Sequence, residues 1–256
     1  MEVWNGKVAI VTGASAGIGK AIASKLVEEG MKVAGLARRK ERVEELAASL
    51  KKAKGELHAI RVDLTKEEDI LNAFEYVIKN LGPIHVLVNN AGLNHASSLC
   101  SGKTKDWKQI LETNTLALSI ATREAIQNMI ANDVDGHIIH INSVAGHPLS
   151  HTPATMYGAS KYALTSLTES LRIELNAAKS KIKVTSISPG HVLTEFLDAL
   201  SENSDGKVSK EDVKLFRQHN PALKPEDVAD SVLYVLETPR HVQVHELIIK
   251  PIGEDL

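Results

Sequence analysis

The architecture of this chain follows from one stretch, Val8-Ala9-Ile10-Val11-Thr12-Gly13-Ala14-Ser15-Ala16-Gly17-Ile18-Gly19. Its first four residues are apolar, which is typical of a strand buried on both faces of a parallel sheet. A turn with three glycines follows, and a helical pattern then covers residues 20–29. Because glycine lets the backbone approach a phosphate at a helix N-terminus, we expect a pyrophosphate to bind this turn, with Ser15 adding a hydrogen bond. The spacing Gly-x-x-x-Gly-x-Gly differs from the commoner Gly-x-Gly-x-x-Gly, but the order of strand, turn and helix is the one that such a site requires.

Two arginines end the second apolar run. The strand predicted at residues 32–36 leads into Ala37-Arg38-Arg39. In dinucleotide-binding folds an acidic residue in this region binds the ribose of NAD, whereas an arginine accommodates the 2'-phosphate of NADP. No acid is present here, and the guanidinium fork suits a phosphate, so Arg38 and Arg39 predict a preference for NADP(H). The alternative is that both arginines only begin a solvated helix.

Apolar runs and helical patterns alternate along the rest of the chain. This alternation predicts an α/β protein with a doubly wound, mainly parallel sheet of seven strands, whose ligand site lies outside the carboxyl ends of the strands. We expect a single dinucleotide-binding and catalytic domain over residues 1–256. The further strands are predicted at 57–62, 84–88, 136–141, 182–187 and 246–249, and the further helices at 41–53, 66–80, 107–129, 157–178 and 226–236.

Polar side chains follow several of these strands. The Asp63 carboxylate suits an adenine amine, and Thr65 is placed to cap the next helix. Asn89 and Asn90 follow the fourth strand, where buried amides need partners, either neighbouring backbone or a ribose. Ser143 follows the fifth strand, where a hydroxyl is placed to hydrogen-bond a carbonyl oxygen lying over the cofactor.

A tyrosine and a lysine stand four residues apart in Tyr157-Gly158-Ala159-Ser160-Lys161. On a helix this spacing places both side chains on one face, and a nearby cation favours the phenolate over a phenol whose ordinary pKa is about 10. By itself the pair is usually only a half-buried ring beside a solvated amine. Asn114, within a largely apolar helix, either bends that helix and holds a water or is satisfied by local backbone.

Composition favours a small-molecule partner. The net charge is -2, with 43% hydrophobic and 24% charged residues, so nothing indicates nucleic acid or an anionic membrane. Cys100 is the single cysteine, which suits a reducing compartment. No signal-peptide pattern or membrane-spanning apolar run is present, so we expect a soluble, cytoplasmic protein. The polar residues 198–220 predict a mobile loop, part of a substrate segment at about 191–221 that closes over an apolar ligand.

These motifs, in this order, resemble the short-chain dehydrogenase/reductase family, in its branch with a Thr-Gly-x-x-x-Gly-x-Gly motif. The resemblance covers essentially the whole chain and implies a Rossmann fold. Residues 136–143 and 223–229 are also similar to insect farnesol dehydrogenases and to vertebrate relatives that reduce ketosteroids with NADPH. The motifs that carry the family resemblance are residues 12–19, Asp63, residues 89–92, Asn114, Ser143, Tyr157, Lys161, Pro189, Gly190 and Thr194.

The resemblance implies a role for each of these residues. Tyr157 is expected to be general acid in reduction and general base in oxidation, and Ser143 to hold the substrate oxygen. Lys161 is expected to bind the nicotinamide ribose and lower the pKa of Tyr157, while Asn114 keeps a water in a proton relay. The implied cofactor-binding set is Gly13, Ser15, Gly17, Ile18, Gly19, Arg38, Arg39, Asp63, Leu64, Asn90, Ala91, Gly92, Tyr157, Lys161, Pro189, Gly190, Val192 and Thr194. A homodimer or homotetramer built through the helices of Asn114 and Tyr157 is also implied.

The expected activity is NADP(H)-dependent interconversion of an apolar ketone or aldehyde and its alcohol, with steroid-like or isoprenoid-like substrates favoured. Two alternatives stay open: an NAD-dependent alcohol dehydrogenase, and a non-catalytic NADPH-binding sensor or scaffold. Three histidines, His147, His151 and His191, flank the expected site, and we interpret them as loop residues facing water rather than as pocket residues. Together with His137 and His140 their spacing does not match a zinc signature, and no metal is predicted.

Overall fold

Seven strands, counted over the part of the chain that the structure describes, form one parallel sheet. The structure is a computed structural model that describes residues 1–148, 155–204 and 206–254. The strands lie in the order β3-β2-β1-β4-β5-β6-β7, and every neighbouring pair is parallel. They are β1 (Val8–Thr12), β2 (Lys32–Ala37), β3 (Glu56–Arg61), β4 (Ile84–Asn89), β5 (His137–Ile141), β6 (Lys183–Pro189) and β7 (Glu246–Ile249).

Helices connect the strands and cover both faces of the sheet. They are α1 (Gly17–Glu28), α2 (Lys40–Ser49), α3 (Glu67–Asn80), α4 (Thr104–Leu111), α5 (Ala117–Ala131), α6 (Thr155–Ala177), α7 (Phe196–Glu202), α8 (Lys210–His219) and α9 (Pro225–Glu237). Between α4 and α5 the chain makes one π turn, Glu112–Leu116. Parallel strands need such crossover helices, so the predicted alternation and the observed sheet agree.

The alternating residues of β1 show how the core is divided. Ala9 and Val11 face a cluster formed with α1 and α9, whereas Val8 and Ile10 face a cluster formed with α3 and α5. Successive strand residues point to opposite faces, so an apolar run without alternation is buried on both sides. Strand order reverses between β1 and β4, which opens a crevice at their carboxyl ends. The predicted site residues follow β1, β4, β5 and β6 at this edge.

The segment predicted as a mobile loop, residues 198–220, folds differently. It contains most of α7 and all of α8. Helix α8 begins with a capping box, in which Ser209 accepts from the Asp212 amide while the Asp212 carboxylate accepts from the Ser209 backbone. Val213 is buried beneath it. The loop prediction was therefore wrong, because capping and one buried side chain stabilise a helix in a polar segment. Asp205 lies outside the described residues.

The predicted helix at 107–129 is also interrupted, by the π turn that contains Asn114. Elsewhere the predicted strands and helices match the observed ones to within a few residues at each end. None of the helices in residues 1–148, 155–204 and 206–254 is long and apolar enough to cross a membrane.

Candidate active site

The glycine turn after β1 packs tightly against the end of β4. Gly13 and Gly17 have φ values of +71° and +52°, a region that L side chains rarely adopt. At Gly19 an added Cβ would lie 2.4 Å from both Asn90 Nδ2 and the Gly13 carbonyl oxygen. Glycine is therefore required for this close approach.

Helix α1 starts directly from this turn without a side-chain cap. Its N-cap residue, Ala16, offers no hydroxyl or carboxylate to the first N–H groups of the helix. Those donors, together with the positive end of the helix dipole, suit an anion such as a pyrophosphate. The geometry fits the dinucleotide cofactor expected from the sequence.

Thr12 fastens β1 to β4 at this point. Its Oγ1 accepts hydrogen bonds from the backbone N–H groups of Asn90 and Ala91, both at 3.0 Å. In return Asn90 Nδ2 donates to the Thr12 carbonyl oxygen at 2.9 Å. Of the two partners considered for Asn90, backbone or ribose, the structure provides backbone. This clamp was not predicted, although Thr12 opens the motif, because its partner lies 78 residues away.

Asp63 and Arg38 line one cavity of about 500 Å³ between the ends of β2 and β3 and helix α3. Thr65 donates to the Asp63 carboxylate through its hydroxyl, at 2.7 Å, and through its backbone N–H, at 3.1 Å. The hydroxyl bond is the largest cause of a lowered Asp63 pKa, and the nearby Arg38 charge lowers it further. Thr65 thus binds Asp63 and does not cap α3, whose N-cap is Lys66. The cavity is also lined by Arg61, Lys66 and Tyr76.

Arg39 points to a different partner. Its Nη1 lies 3.5 Å from Glu195 Oε2, and Arg42 Nη1 binds the same carboxylate at 2.9 and 3.0 Å. Glu195 follows β6, so this ion pair joins the N-terminal turn of α2 to the segment before α7. The two predicted phosphate-binding arginines therefore have separate surroundings, and neither Arg42 nor Glu195 was among the predicted site residues.

Three of the predicted catalytic residues meet where β5 ends and α6 begins. Ser143 follows β5, and its Oγ accepts from the Ala145 N–H at 3.1 Å, which fixes the hydroxyl at the strand end. The Ser143 hydroxyl lies close to the Tyr157 hydroxyl and lowers the pKa of that phenol. Lys161 Nζ lies 5.8 Å from the centre of the Tyr157 ring. The pairing expected from the helical spacing is therefore present.

Burial dominates the electrostatics of this cluster. It raises the pKa of Tyr157, and the nearby Ser143 hydroxyl offsets only part of that rise. Desolvation of the phenolate sets this net rise, so the rise does not test whether Lys161 lowers the Tyr157 pKa, and that role stays a prediction. Burial also lowers the pKa of Lys161, to about 8. Its ammonium group is held by a hydrogen bond to the Ile141 carbonyl oxygen, at 2.9 Å.

Asn114 sits in the π turn and is 1% exposed. Its side chain exchanges two hydrogen bonds with the backbone of Leu93, each at 2.9 Å, and donates a third to Ser160 Oγ at 3.0 Å. Ser160 Oγ donates in turn to the Tyr157 carbonyl oxygen. The amide is thus satisfied by distant backbone, and it connects the segment after β4 to the first turns of α6.

The segment after β6 reaches both the glycine turn and Tyr157. Gly190 follows the strand, and an added Cβ there would lie 2.0 Å from Glu254 Oε2. Val192 forms a bridge with Leu223. Thr194 approaches Gly17, where an added Cβ would lie 3.0 Å from Thr194 Cγ2.

Two of the flanking histidines are not water-facing, contrary to the interpretation of the sequence. His147 Nε2 hydrogen-bonds with Ser188 Oγ at 2.9 Å, and 13% of its side chain is exposed. His191 Nδ1 donates to the Pro221 carbonyl oxygen at 3.1 Å, and its ring packs edge-on against Phe216. Both rings therefore hold the site's loops in place. His151, and Leu149 beside the same segment, lie outside the described residues.

Comparison with known proteins agrees with this geometry. The family model described as short chain dehydrogenase matches residues 7–205. The chain is 48% identical to a farnesol dehydrogenase of Aedes aegypti, over 99% of each chain. It is 47% identical to the human dehydrogenase/reductase SDR family member 11, over 98% of this chain and 96% of that one. Among solved structures, an alcohol dehydrogenase from Thermococcus sibiricus complexed with 5-hydroxy-NADP has a TM-score of 0.82 and 27% identity, and the alignment covers 97% of both chains.

Proposed function

The chain belongs to the short chain dehydrogenase family of oxidoreductases, and from this premise we propose that it interconverts an apolar ketone or aldehyde and its alcohol with NADP(H). One observation carries the proposal: the Ser143 and Tyr157 hydroxyls lie close together beside the buried cation of Lys161. A protein that only senses or binds a nucleotide has no need for two hydroxyls and a buried cation at the same strand end.

In this proposal the chain supplies binding and proton transfer, and a bound nicotinamide cofactor supplies or accepts the hydride. Tyr157 donates its hydroxyl proton to the carbonyl oxygen during reduction and takes it back during oxidation, a role worth a factor of roughly 100 to 10,000. Ser143 hydrogen-bonds the same oxygen as its negative charge grows, which is worth about 3 kcal/mol. Lys161 keeps a positive charge close to that oxygen. Asn114 holds the π turn, beside which we place the water of a proton relay.

The cofactor is proposed to lie along the carboxyl edge of the sheet. The glycine turn and the uncapped start of α1 suit the pyrophosphate, and Arg38 and Arg39 suit the 2'-phosphate. Lys161 binds the nicotinamide ribose. The remaining proposed contacts are Ser15 and Ile18 to phosphate, Asp63 and Leu64 to adenine, Ala91 and Gly92 to ribose, and Pro189, Gly190, Val192 and Thr194 to the nicotinamide.

The segment at 191–221 supports an apolar substrate. The Phe196 ring packs against Tyr157 with centroids 5.7 Å apart. Leu193, Leu215 and Phe216 in the same segment are partly exposed, at 52%, 44% and 37%. Large exposed apolar side chains near a catalytic group are typical of ligand-binding surfaces. Steroid-like and isoprenoid-like carbonyl compounds are therefore the first candidate substrates. We also propose that the protein is cytoplasmic.

A substrate panel tests the proposal. NADPH consumption is followed with steroid ketones, isoprenoid aldehydes, dicarbonyls and quinones, and the binding of NADPH and NADH is compared in the same buffer. We expect turnover with at least one apolar carbonyl and tighter binding of NADPH than of NADH. NADPH binding without any turnover across the panel contradicts the enzymatic role, and a preference for NADH contradicts the role given to the arginines.

A further inference from the structure

Three consecutive residues after β6 contact three separate parts of the site. Thr194 packs against Gly17 in the glycine turn. Glu195 binds Arg42 and lies close to Arg39 at the start of α2. Phe196, the first residue of α7, packs against the ring of Tyr157. One short segment thus touches the proposed pyrophosphate site, a proposed 2'-phosphate arginine and the proposed catalytic tyrosine.

The Glu195 carboxylate is shared unequally between its two arginines. Arg42 Nη1 binds both oxygens, at 2.9 and 3.0 Å, whereas Arg39 Nη1 lies 3.5 Å from one of them. The carboxylate is 56% exposed, and an ion pair of such exposure is weak. A contact of this strength can form and break during each catalytic cycle.

A second anchor holds α7 from the opposite side. Arg217 of α8 binds the Asp198 carboxylate at 2.7 and 3.0 Å and donates to the Thr194 carbonyl oxygen at 2.8 Å. Both ends of this anchor lie within the segment at 191–221. The contact of Glu195 with Arg39 and Arg42, by contrast, crosses to α2, on the cofactor side of the crevice.

We propose that Glu195 is a positioning residue that couples the 2'-phosphate of the cofactor to the placement of Phe196 on Tyr157. The inference rests on the proposed function, in which Arg39 binds that phosphate. The Glu195 carboxylate competes with the phosphate for Arg39, and its bond to Arg42 keeps α7 in place when Arg39 turns to the phosphate. Glu195 therefore weakens binding of NADP(H) slightly while it strengthens binding of the carbonyl substrate.

This coupling predicts opposite effects for two substitutions. In Glu195→Gln the competition ends, so NADPH binds about two- to five-fold more tightly, while NADH binding is unchanged. In Arg42→Gln the Glu195 carboxylate pairs only with Arg39 and competes more strongly with the phosphate. NADPH therefore binds about two- to five-fold more weakly. Once Arg39 has turned to the phosphate, neither variant keeps the ion pair between residues 195 and 42, so both release α7 in the NADPH complex and raise KM for the carbonyl substrate by a similar factor. A merely structural role of Glu195 does not tighten NADPH binding.

The experiment measures Kd for NADPH and NADH by fluorescence titration, KM for the carbonyl substrate, and hydrogen exchange of residues 196–202. Glu211→Gln is the matched control, because this carboxylate is similarly exposed, at 64%, and pairs within α8 with Lys214, at 3.6 Å. With NADPH bound we expect faster exchange in both test variants and no change in the control. Unchanged or weaker NADPH binding in Glu195→Gln, an equal shift for NADH, or unchanged KM and exchange would overturn the coupling.

The proposed function is tested separately, by the cofactor preference and the carbonyl turnover of the wild-type protein. Wild type that neither prefers NADPH nor turns over a carbonyl compound contradicts the proposed function. In that case unchanged hydrogen exchange of residues 196–202 in Glu195→Gln still overturns the positioning role, and faster exchange supports it. The two failures are therefore distinguishable.

Discussion

The Ser143 hydroxyl, which accepts a hydrogen bond from the Ala145 N–H at the end of β5, lies close to the Tyr157 hydroxyl and lowers the pKa of that phenol. A group on helix α6 is thereby paired with a hydroxyl that is fixed at the end of the sheet. Sites built in this way keep their geometry because each catalytic group is held by a second contact.

Replacing Tyr157 with Phe removes the hydroxyl and keeps the ring that packs against Phe196. We expect carbonyl reduction to fall by a factor of roughly 100 to 10,000, because the general acid is lost. NADPH binding and the fold should be retained, with a loss of about 1 kcal/mol from the hydrogen bond to Ser143. Single-turnover rates, NADPH titration and urea denaturation measure the three quantities. Full activity in this variant contradicts the assignment of Tyr157.

Because of the pKa of Lys161, we expect the rate of carbonyl reduction to fall with pH and the free energy of unfolding to rise with pH. Burial lowers this pKa to about 8 from the 10.5 of an exposed lysine, so the folded protein loses the proton first. The positive charge, and with it carbonyl reduction, should decline as the pH rises through about 8. Between pH 8 and 10.5 the unfolded chain binds the additional proton, so this residue makes the free energy of unfolding rise with pH.

Lys161→Met is the variant that isolates these effects. Comparing its urea unfolding with that of wild type from pH 7.5 to 10.5 removes the contribution of every other group. The free energy of unfolding of wild type should rise with pH relative to that of the variant. If the two free energies change in parallel with pH, the lowered pKa of Lys161 is contradicted.

Gly19→Ala tests the tight contact between the glycine turn and β4. The added methyl group would meet Asn90 Nδ2 and the Gly13 carbonyl oxygen at 2.4 Å, so the turn must shift. We expect a loss of about 1 to 3 kcal/mol in the free energy of unfolding, together with weaker NADPH binding. Gly92→Ala is the control for stability, since its methyl group finds its nearest neighbour at 3.5 Å, an ordinary contact. Equal unfolding energies in the two variants contradict this explanation.

The fold was predictable because its signals are local. The apolar run at Val8 and the glycines after it specify a strand, a turn and a helix within a few residues of sequence. The capping box of Ser209 and Asp212 is equally local, so the missed helix α8 was within reach of the sequence. Polar composition alone led to the mobile-loop prediction.

The unpredicted features depend on contacts between distant residues or on burial. Glu195 and Arg42 are 153 residues apart, and no spacing rule links them. The direction of the Tyr157 pKa follows from desolvation of the phenol, which a helical spacing does not specify. The sequence identifies the chemical groups at a site, whereas their protonation depends on the surrounding packing.

Two buried histidines of β5 should make the protein sensitive to acid. Burial lowers the pKa of His137 and of His140 to about 3, below the ordinary value of 6.5. The unfolded chain therefore binds protons that the folded chain does not, and stability is lost as the pH falls from 6.5 toward 3. Each histidine contributes up to about 1.4 kcal/mol per pH unit in this range.

His140→Gln should reduce this loss. The variant removes one of the two titrating groups while an amide replaces the ring beside Thr122 and Thr168, the present partners of His140. Urea unfolding at pH 7 and pH 5 gives the difference in stability for each protein. His58→Gln, on the partly buried edge strand β3, serves as the control. An unchanged pH dependence in His140→Gln contradicts the acid-sensitivity prediction.

Helices α5 and α6 carry exposed apolar side chains that suit the proposed homodimer or homotetramer. Ile130 is 61% exposed and Ile173 is 62% exposed, and burying such side chains against a second copy is favourable. We expect wild type to have the mass of a dimer or tetramer by light scattering and Ile173→Glu to lower that mass. Val3→Glu is the matched control, because Val3 is 65% exposed on the separate turn Glu2–Trp4. A monomeric wild type contradicts the assembly, and an equal loss of mass in the control contradicts the role of α6.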